Sequence, residues 1–449
     1  MLEIKNRKIS IIGAVRSGLG AAKLGKHLGA IPFVSDAGSE EKLKSSIENL
    51  QNEKIAFEIS QHTEKVFDCD LMVVSPGVPS NAEVIKIAKS KNIKIISELE
   101  FASSFCNANV IGITGTNGKT TTTSLCNYLF NECGVKSYSA GNIGLAFSEI
   151  ASEAKENEFV SLEISSFQLD LIDQFKPKVA MILNITPDHL NRYENSVEKY
   201  ALSKLRVFEN QDENDFLILN KDSELLNQYF KKAKSNILFF STSKKVSYGC
   251  YLENDKVKYV RNDIEEFSCK VSDIFIKGEH NIQNAMAVII AAKIFNLNNK
   301  KIIEALKSFK GVEHRLELIR EIDGVKFIND SKATNVDSVI VALKSFDEPI
   351  FLILGGQDKG NDYSMIEELV VEKVKKIYAI GSSAEKVFNY FHGKVKTEIK
   401  KDFDEVINTA ISDAREGDVV LLSPACASFD MFDNYEHRGK VFKQIVNDK

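Results

Sequence analysis

The feature that most constrains this chain is an alternation. Strand-length apolar runs recur at 9–15, 71–75, 93–96, 110–114, 159–164, 179–185, 216–219, 350–354, 376–380 and 419–422, and polar, helix-favouring segments lie between many of them. The runs are mostly β-branched or leucine-rich and apolar throughout, as in strands covered on both faces, so the class is α/β with parallel sheets under helices. Strand-then-glycine turns near Gly13, Gly115 and Gly355 can each open a doubly wound unit. A chain of 449 residues exceeds what one core usually organises. Three domains follow: a Rossmann-like N-terminal domain over 1–100, a central P-loop domain over 101–311 and a Rossmann-like C-terminal domain over 312–449. The lysine-rich, mixed-charge segment 211–270 reads as the irregular part of the middle domain.

A formal net charge of −5 with evenly mixed signs gives no broad basic face, which argues against nucleic-acid binding. The seven cysteines form no CxxC pair and no zinc-ligand spacing, so reduced thiols are expected. The N-terminal stretch lacks an apolar signal core, and the longest strongly apolar run, 285–292, is too short to cross a bilayer. A soluble, cytoplasmic protein with no membrane partner is the expectation.

The sharpest local signal is TGTNGKTT at 114–121, which follows a strand and precedes a helix expected over 120–132. In that setting backbone N–H groups around Gly115 and Gly118 can surround phosphate oxygens. Lys119 can neutralise the β/γ charge, Thr120 can hold magnesium, and the helix start adds its positive end. The spacing is narrower than GxxxxGK[ST]. NKDS at 220–223 ends in Ser where a guanine-reading NKxD needs Asp, so ATP is favoured over GTP and that segment reads as a strand-end turn.

The phosphate loop is accompanied, in order, by EISSFQ (163–168), NITPDH (184–189), GEHNIQN (278–284), HR (314–315), NDSKATN (329–335), LSPACASFD (422–430) and NYEHRG (434–439). Together these resemble the Mur ligase family over nearly the whole chain. The family's three domains take a UDP-sugar, ATP and an incoming amino acid. The DSKATN and SPACASFD segments narrow the implied activity to ATP-dependent addition of D-glutamate to UDP-N-acetylmuramoyl-L-alanine, through an acyl phosphate, in peptidoglycan precursor synthesis, by a monomer.

The resemblance also implies roles. Gly115, Thr116, Asn117, Gly118, Lys119, Thr120, Thr121, Asn281, Asn284 and Arg315 would meet ATP, and Asp330 its ribose. Lys119, Glu163, His189 and Lys204 would be catalytic, with Thr120, Glu163, His189 and a carbamylated Lys204 holding Mg2+. A hard cation wants oxygen ligands and imidazole alone is a poor one, hence the implied carbamate; an unmodified helix-surface lysine is the plain alternative. Arg16, Ser17, Asp36 and Gly77 would line the UDP pocket, with Asn142 touching the sugar. Lys332, Thr334, Lys359, Ser428 and Tyr435 would surround the amino acid, two cations facing a dicarboxylate. The family often has Phe at the position of Tyr435. Asn281 and Asn284 are three apart and share a helix face, where capping alone is the alternative.

A nucleotide-gated switch that forms no amide is the competing class, and it needs no amino-acid pocket. Preference for D- over L-glutamate is set by pocket shape and stays open at this level.

Overall fold

The computed structural model describes residues 2–449 apart from Ser80, Ile143, His189 and Lys359, together with all side chains of that span except those of Asn191 and Phe230. Among the described residues twenty strands build three sheets. The first contains β1 (Lys8–Ile12), β2 (Ile31–Asp36), β3 (Ala56–Ile59), β4 (Leu71–Val74) and β5 (Lys94–Ser97), all parallel, in the order β3-β2-β1-β4-β5.

The second contains β6 (Asn109–Thr114), β7 (Ser137–Gly141), β8 (Phe159–Glu163), β9 (Val179–Ile182), β10 (Phe216–Asn220), β11 (Asn236–Ser241), β12 (Tyr248–Glu253), β13 (Lys256–Arg261) and β14 (Ile264–Lys270). Its order is β14-β13-β12-β11-β10-β9-β6-β8-β7. The third contains β15 (Glu317–Ile322), β16 (Val325–Asn329), β17 (Ile350–Gly355), β18 (Val374–Ile380), β19 (Lys396–Ile399) and β20 (Val419–Leu422), ordered β15-β16-β20-β17-β18-β19. The class is α/β, as the alternation requires. Strands β4, β9, β17 and β20 are buried at every residue, which explains why their sequences are apolar throughout.

The chain forms two compact units: Met1–Ile274 with Asn281–Phe309, and Phe275–His280 with Lys310–Lys449. In the first, one apolar cluster runs from Ile9 and Val73 of the first sheet through Leu99 and Phe101 to Val160 and Ala180 of the second. In the second, apolar side chains pack on both faces of its sheet, around Leu352 and Leu421 on one side and Ile353 and Leu422 on the other.

Segment 211–270 is more regular than its composition suggests. It carries β10 to β14, and β12, β13 and β14 form an antiparallel meander. Both reversals are two-residue turns with positive φ at both positions, Asn254–Asp255 (48° and 62°) and Asn262–Asp263 (51° and 64°). Asn and Asp tolerate that backbone, and it suits the twist of paired strands. Charged residues on the outward positions of the strands hid their period. NKDS at 220–223 is a strand-end turn, with Asn220 Oδ1 accepting from the Asp222 amide at 2.9 Å.

Among the described residues no helix is long and apolar enough to cross a membrane. All seven cysteines are thiols outside any disulfide. The run 285–292 lies inside the helix Glu279–Ile294 and is wholly buried.

Candidate active site

In open α/β sheets ligands gather beyond the carboxyl ends of the strands, and the sequence motifs sit there in all three sheets. The phosphate loop leaves β6, Glu163 ends β8, and the NITPDH segment leaves β9; these three strands are adjacent and parallel. The loop turns through Gly115 (φ 153°) and Gly118 (φ 85°) into the helix Lys119–Glu132. Gly118 takes a backbone that L side chains rarely adopt, and a Cβ there would come within 2.5 Å of Asn284 Oδ1 and displace that side chain. Gly118 is the helix N-cap and no side chain caps that end, which leaves the helix start facing the loop.

Within the loop, Lys119 Nζ donates to the carbonyls of Gly115 (2.9 Å) and Thr116 (2.8 Å). Lys204 Nζ donates to the same Gly115 carbonyl at 2.9 Å. Lys204 is only 1% exposed, so it is no helix-surface lysine. Burial, and after it the charge of Lys119, holds its amine well below the usual lysine range. Thr120 and Thr121 are buried on the first turn. The Thr116 hydroxyl is occupied by the protein: it donates to the Thr186 carbonyl and accepts from the Thr186 amide, both at 3.0 Å, and meets Tyr200 Oη at 3.2 Å.

Glu163 is 1% exposed. Its Oε1 accepts from Asn142 Nδ2 at 2.9 Å, whereas Oε2 is buried with no partner. A carboxylate oxygen left in that state fits a hard cation, and Thr120, on the first turn of the helix that follows the neighbouring strand, carries a hydroxyl of the type such a cation takes. His189 lies outside the described residues. Asn281 and Asn284 are buried on one helix face and joined by a 3.2 Å hydrogen bond from Asn284 Nδ2 to Asn281 Oδ1.

In the first sheet, the Gly13 loop follows β1, Asp36 ends β2 and the Ser75-Pro-Gly77 turn follows β4. Asp36 accepts from the amides of Ala14 and Gly38, both at 2.7 Å, and thereby pins the loop. Arg16 donates to the carbonyls of Gly144 (2.8 Å) and Asn142 (3.0 Å), tying the first helix to the turn that carries Asn142. Ser17 is half-buried on the first turn of the helix Arg16–His27, and Gly77 faces open space.

In the second compact unit, Asp330 follows β16, the SPACASFD loop follows β20 and Gly355 closes β17, again on adjacent parallel strands. Asp330 accepts from Ser423 Oγ (2.9 Å) and the Leu316 amide (3.3 Å). Burial pushes its carboxyl up to about 7 against the opposing pull of Arg315. Arg315 sits between two residues with positive φ, His314 (64°) and Leu316 (45°), and its Nε is buried without a partner. Such backbone persists only where its surroundings enforce it, and here it aims a guanidinium. His280 lies near that charge, and burial followed by Arg315 takes its imidazole down to about 4.

Lys332 Nζ lies 5.3 Å from the centre of the Tyr435 ring, and Ser331 Oγ donates to the Tyr435 carbonyl at 2.8 Å. The hydroxyl-bearing ring therefore stacks a cation as Phe would. Thr334 closes the turn through its amide to the Lys332 carbonyl. Ser428 is buried. Lys359 lies outside the described residues.

Four residues escaped the sequence reading. Asn184 and Tyr200 grip the phosphate loop. Buried Arg438 joins Ser331 Oγ (2.9 Å) and the Ser331 carbonyl (2.7 Å) to the Cys426 carbonyl (3.1 Å), holding the DSKATN and SPACASFD segments together. Arg192 reaches the Pro76 carbonyl at 3.3 Å and stacks on Phe167 at 4.0 Å. Asn184 and Arg438 lie within quoted motifs and Arg192 three residues past one, whereas Tyr200 is marked only by its place one helical turn before Lys204.

Comparison with known proteins gives one answer. The Mur ligase middle domain matches residues 113–292, the Mur ligase glutamate ligase domain 314–426 and the MurD N-terminal domain 8–84. The UDP-N-acetylmuramoylalanine--D-glutamate ligase of Chloroherpeton thalassium is 43% identical over 99% of this chain and 98% of its own. That of Koribacter versatilis is 42% identical with the same coverage. Among solved structures, the UDP-N-acetylmuramate-alanine ligase MurC of Thermotoga maritima superposes with a TM-score of 0.63 at 19% identity, covering 98% of this chain and 99% of that one. E. coli FolC, solved with DHPP and ADP, superposes at 0.59 and 14% identity over 78% of this chain and 92% of that one. The chain belongs to the Mur ligase family, among the UDP-N-acetylmuramoylalanine--D-glutamate ligases.

Proposed function

We propose that the protein joins D-glutamate to UDP-N-acetylmuramoyl-L-alanine with consumption of ATP, as a cytoplasmic monomer, and that its three domains, 1–100, 101–311 and 312–449, serve the UDP-sugar, ATP and the amino acid. The observation that carries this reading is the convergence of Lys119, Lys204 and the unpartnered Glu163 Oε2 around the phosphate loop.

A carboxylate does not acylate an amine at neutral pH. Its oxygen must first displace ADP from the γ-phosphorus, giving an acyl phosphate. The glutamate nitrogen then attacks the carbonyl carbon, loses a proton, and the tetrahedral adduct collapses as phosphate leaves with the original carboxylate oxygen. Phosphoryl transfer asks mainly for positioning and charge neutralisation. Lys119 supplies charge at the loop, and the helix start and loop amides hold the phosphates.

Mg2+ held by Thr120 and Glu163, with His189 and a carbamylated Lys204, would spread the charge of the transferring phosphoryl. Lys204, with its amine held towards the neutral form, is suited to attack CO2 and lose a proton, which creates the missing anion. Asn281, Asn284, Arg315 and Asp330 serve the nucleotide; Arg16, Ser17, Asp36, Gly77 and Asn142 the UDP-sugar; Lys332, Thr334, Lys359, Ser428 and Tyr435 the amino acid. Asp36 and Arg16 act through the loops they pin.

Substrate labelled with oxygen-18 in the alanyl carboxylate tests the chemistry. One labelled oxygen is expected in the released phosphate. Phosphate free of label would remove the acyl phosphate.

A further inference from the structure

The phosphate loop is built on glycines at Gly115 and Gly118, which makes it intrinsically mobile, yet anion binding depends on amides already aimed at the ligand. Something must fix it. Segment 184–186 lies directly along the loop: a Cβ on Gly115 would come within 3.3 Å of both the amide and the carbonyl oxygen of Asn184. The Asn184 carbonyl accepts from the Thr116 amide at 3.0 Å. Its side chain then makes a reciprocal pair with the next residue, Oδ1 accepting from the Asn117 amide at 2.8 Å and Nδ2 donating to the Asn117 carbonyl at 3.0 Å.

We propose that Asn184 is a positioning residue that clamps the Asn117 peptide and so sets the nucleotide affinity of the loop without touching the nucleotide itself. The inference rests on reading 114–121 as the ATP loop and adds to it the device that fixes its shape. A carboxamide suits the site because it sets an acceptor atom and a donor atom side by side, matching the N–H and C=O of Asn117. Asp at this position keeps the acceptor but sets a second carboxylate oxygen against the Asn117 carbonyl and adds negative charge beside a phosphate site. Thr186, two residues on, fixes Thr116 independently, so the loop stays attached when the clamp is lost.

The test uses the full-length protein and ADP as probe, titrated calorimetrically into wild type, Asn184→Ala and the near-isosteric Asn184→Asp. The dissociation constant of ADP should rise about ten-fold or more in Asn184→Ala, the loss of two hydrogen bonds, and further in Asn184→Asp, where a carboxylate oxygen opposes the Asn117 carbonyl. Affinity for UDP-N-acetylmuramoyl-L-alanine and the melting temperature without ligand should stay close to wild type. Unchanged ADP affinity in both variants would overturn the clamp, as would a uniform loss for both ligands with early melting, the mark of a merely structural role. Wild type that fails to bind ADP would overturn the reading of the loop itself, and the clamp with it.

Discussion

Lys119 and Lys204 donate to one carbonyl oxygen, that of Gly115, at 2.9 Å each. Two amines that far apart in sequence converge on the first residue of the phosphate loop, one from the loop's own helix and one from the helix Val197–Leu205. Burial, and after it the charge of Lys119, lowers the Lys204 amine well below the usual lysine range. That shift favours the neutral amine, the form that reacts with CO2. Carbon-13 bicarbonate should therefore add a carbamate resonance to the protein spectrum that is missing from Lys204→Arg. Identical spectra for the two proteins would mean that Lys204 stays unmodified.

Lys119→Ala should abolish turnover while leaving the melting temperature within a few degrees of wild type, since the lysine is half-buried and Lys204 still donates to the Gly115 carbonyl. A loss of at least about a thousand-fold in kcat is expected for a group that neutralises the transferring phosphoryl. Normal turnover in that variant would dismiss the loop as the ATP site.

Glu163→Gln separates function from stability. Glu163 buries a carboxylate with one oxygen unpartnered, an arrangement that costs folding free energy unless a cation is bound. The variant should lose at least about a hundred-fold in kcat, need more magnesium for half-saturation, and melt no lower than wild type in magnesium-free buffer. Full activity with early melting would assign Glu163 to the fold alone.

Asp330 predicts a pH dependence of stability. Its carboxyl moves from 3.8 to about 7 on burial, so the folded state binds the extra proton between those values. Its stabilising contribution is complete below about 4 and is lost as pH rises through about 7. Between pH 5 and 8 wild type should lose on the order of 2 kcal/mol relative to Asp330→Asn, read as a narrowing or reversal of any melting advantage. A constant difference across that range would contradict the assignment.

Arg438→Met keeps much of the side-chain stem but strips the donors from the Ser331 and Cys426 carbonyls. Stranding buried acceptors should cost about 3 kcal/mol or more and raise the KM for D-glutamate before that for ATP. An unchanged KM for D-glutamate would dissociate Arg438 from the DSKATN and SPACASFD segments.

The sequence carried the phosphate loop because its chemistry is local: glycines, lysine and threonines within eight residues, between a buried strand and a helix. It also carried the three-sheet α/β plan, since apolar runs report burial on both faces. What it could not display is pairing at a distance. Asn117 and Asn184 are 67 residues apart, Thr116 and Tyr200 are 84, and Ser331 and Arg438 are 107. The grip on each loop is therefore visible only once the strands are aligned. The Tyr248–Lys270 meander escaped for a different reason: lysines and glutamates on its outward face disguised the two-residue period, although the Asn-Asp pairs at its turns were in view.

The measurement that bears most directly on the whole account is phosphate release from ATP in the presence of UDP-N-acetylmuramoyl-L-alanine, compared with D-glutamate, with L-glutamate and with no amino acid. Release that requires D-glutamate is the predicted result. Release indifferent to every amino acid would contradict amide formation, and release driven by L-glutamate alone would contradict the stereochemistry while leaving the chemistry in place.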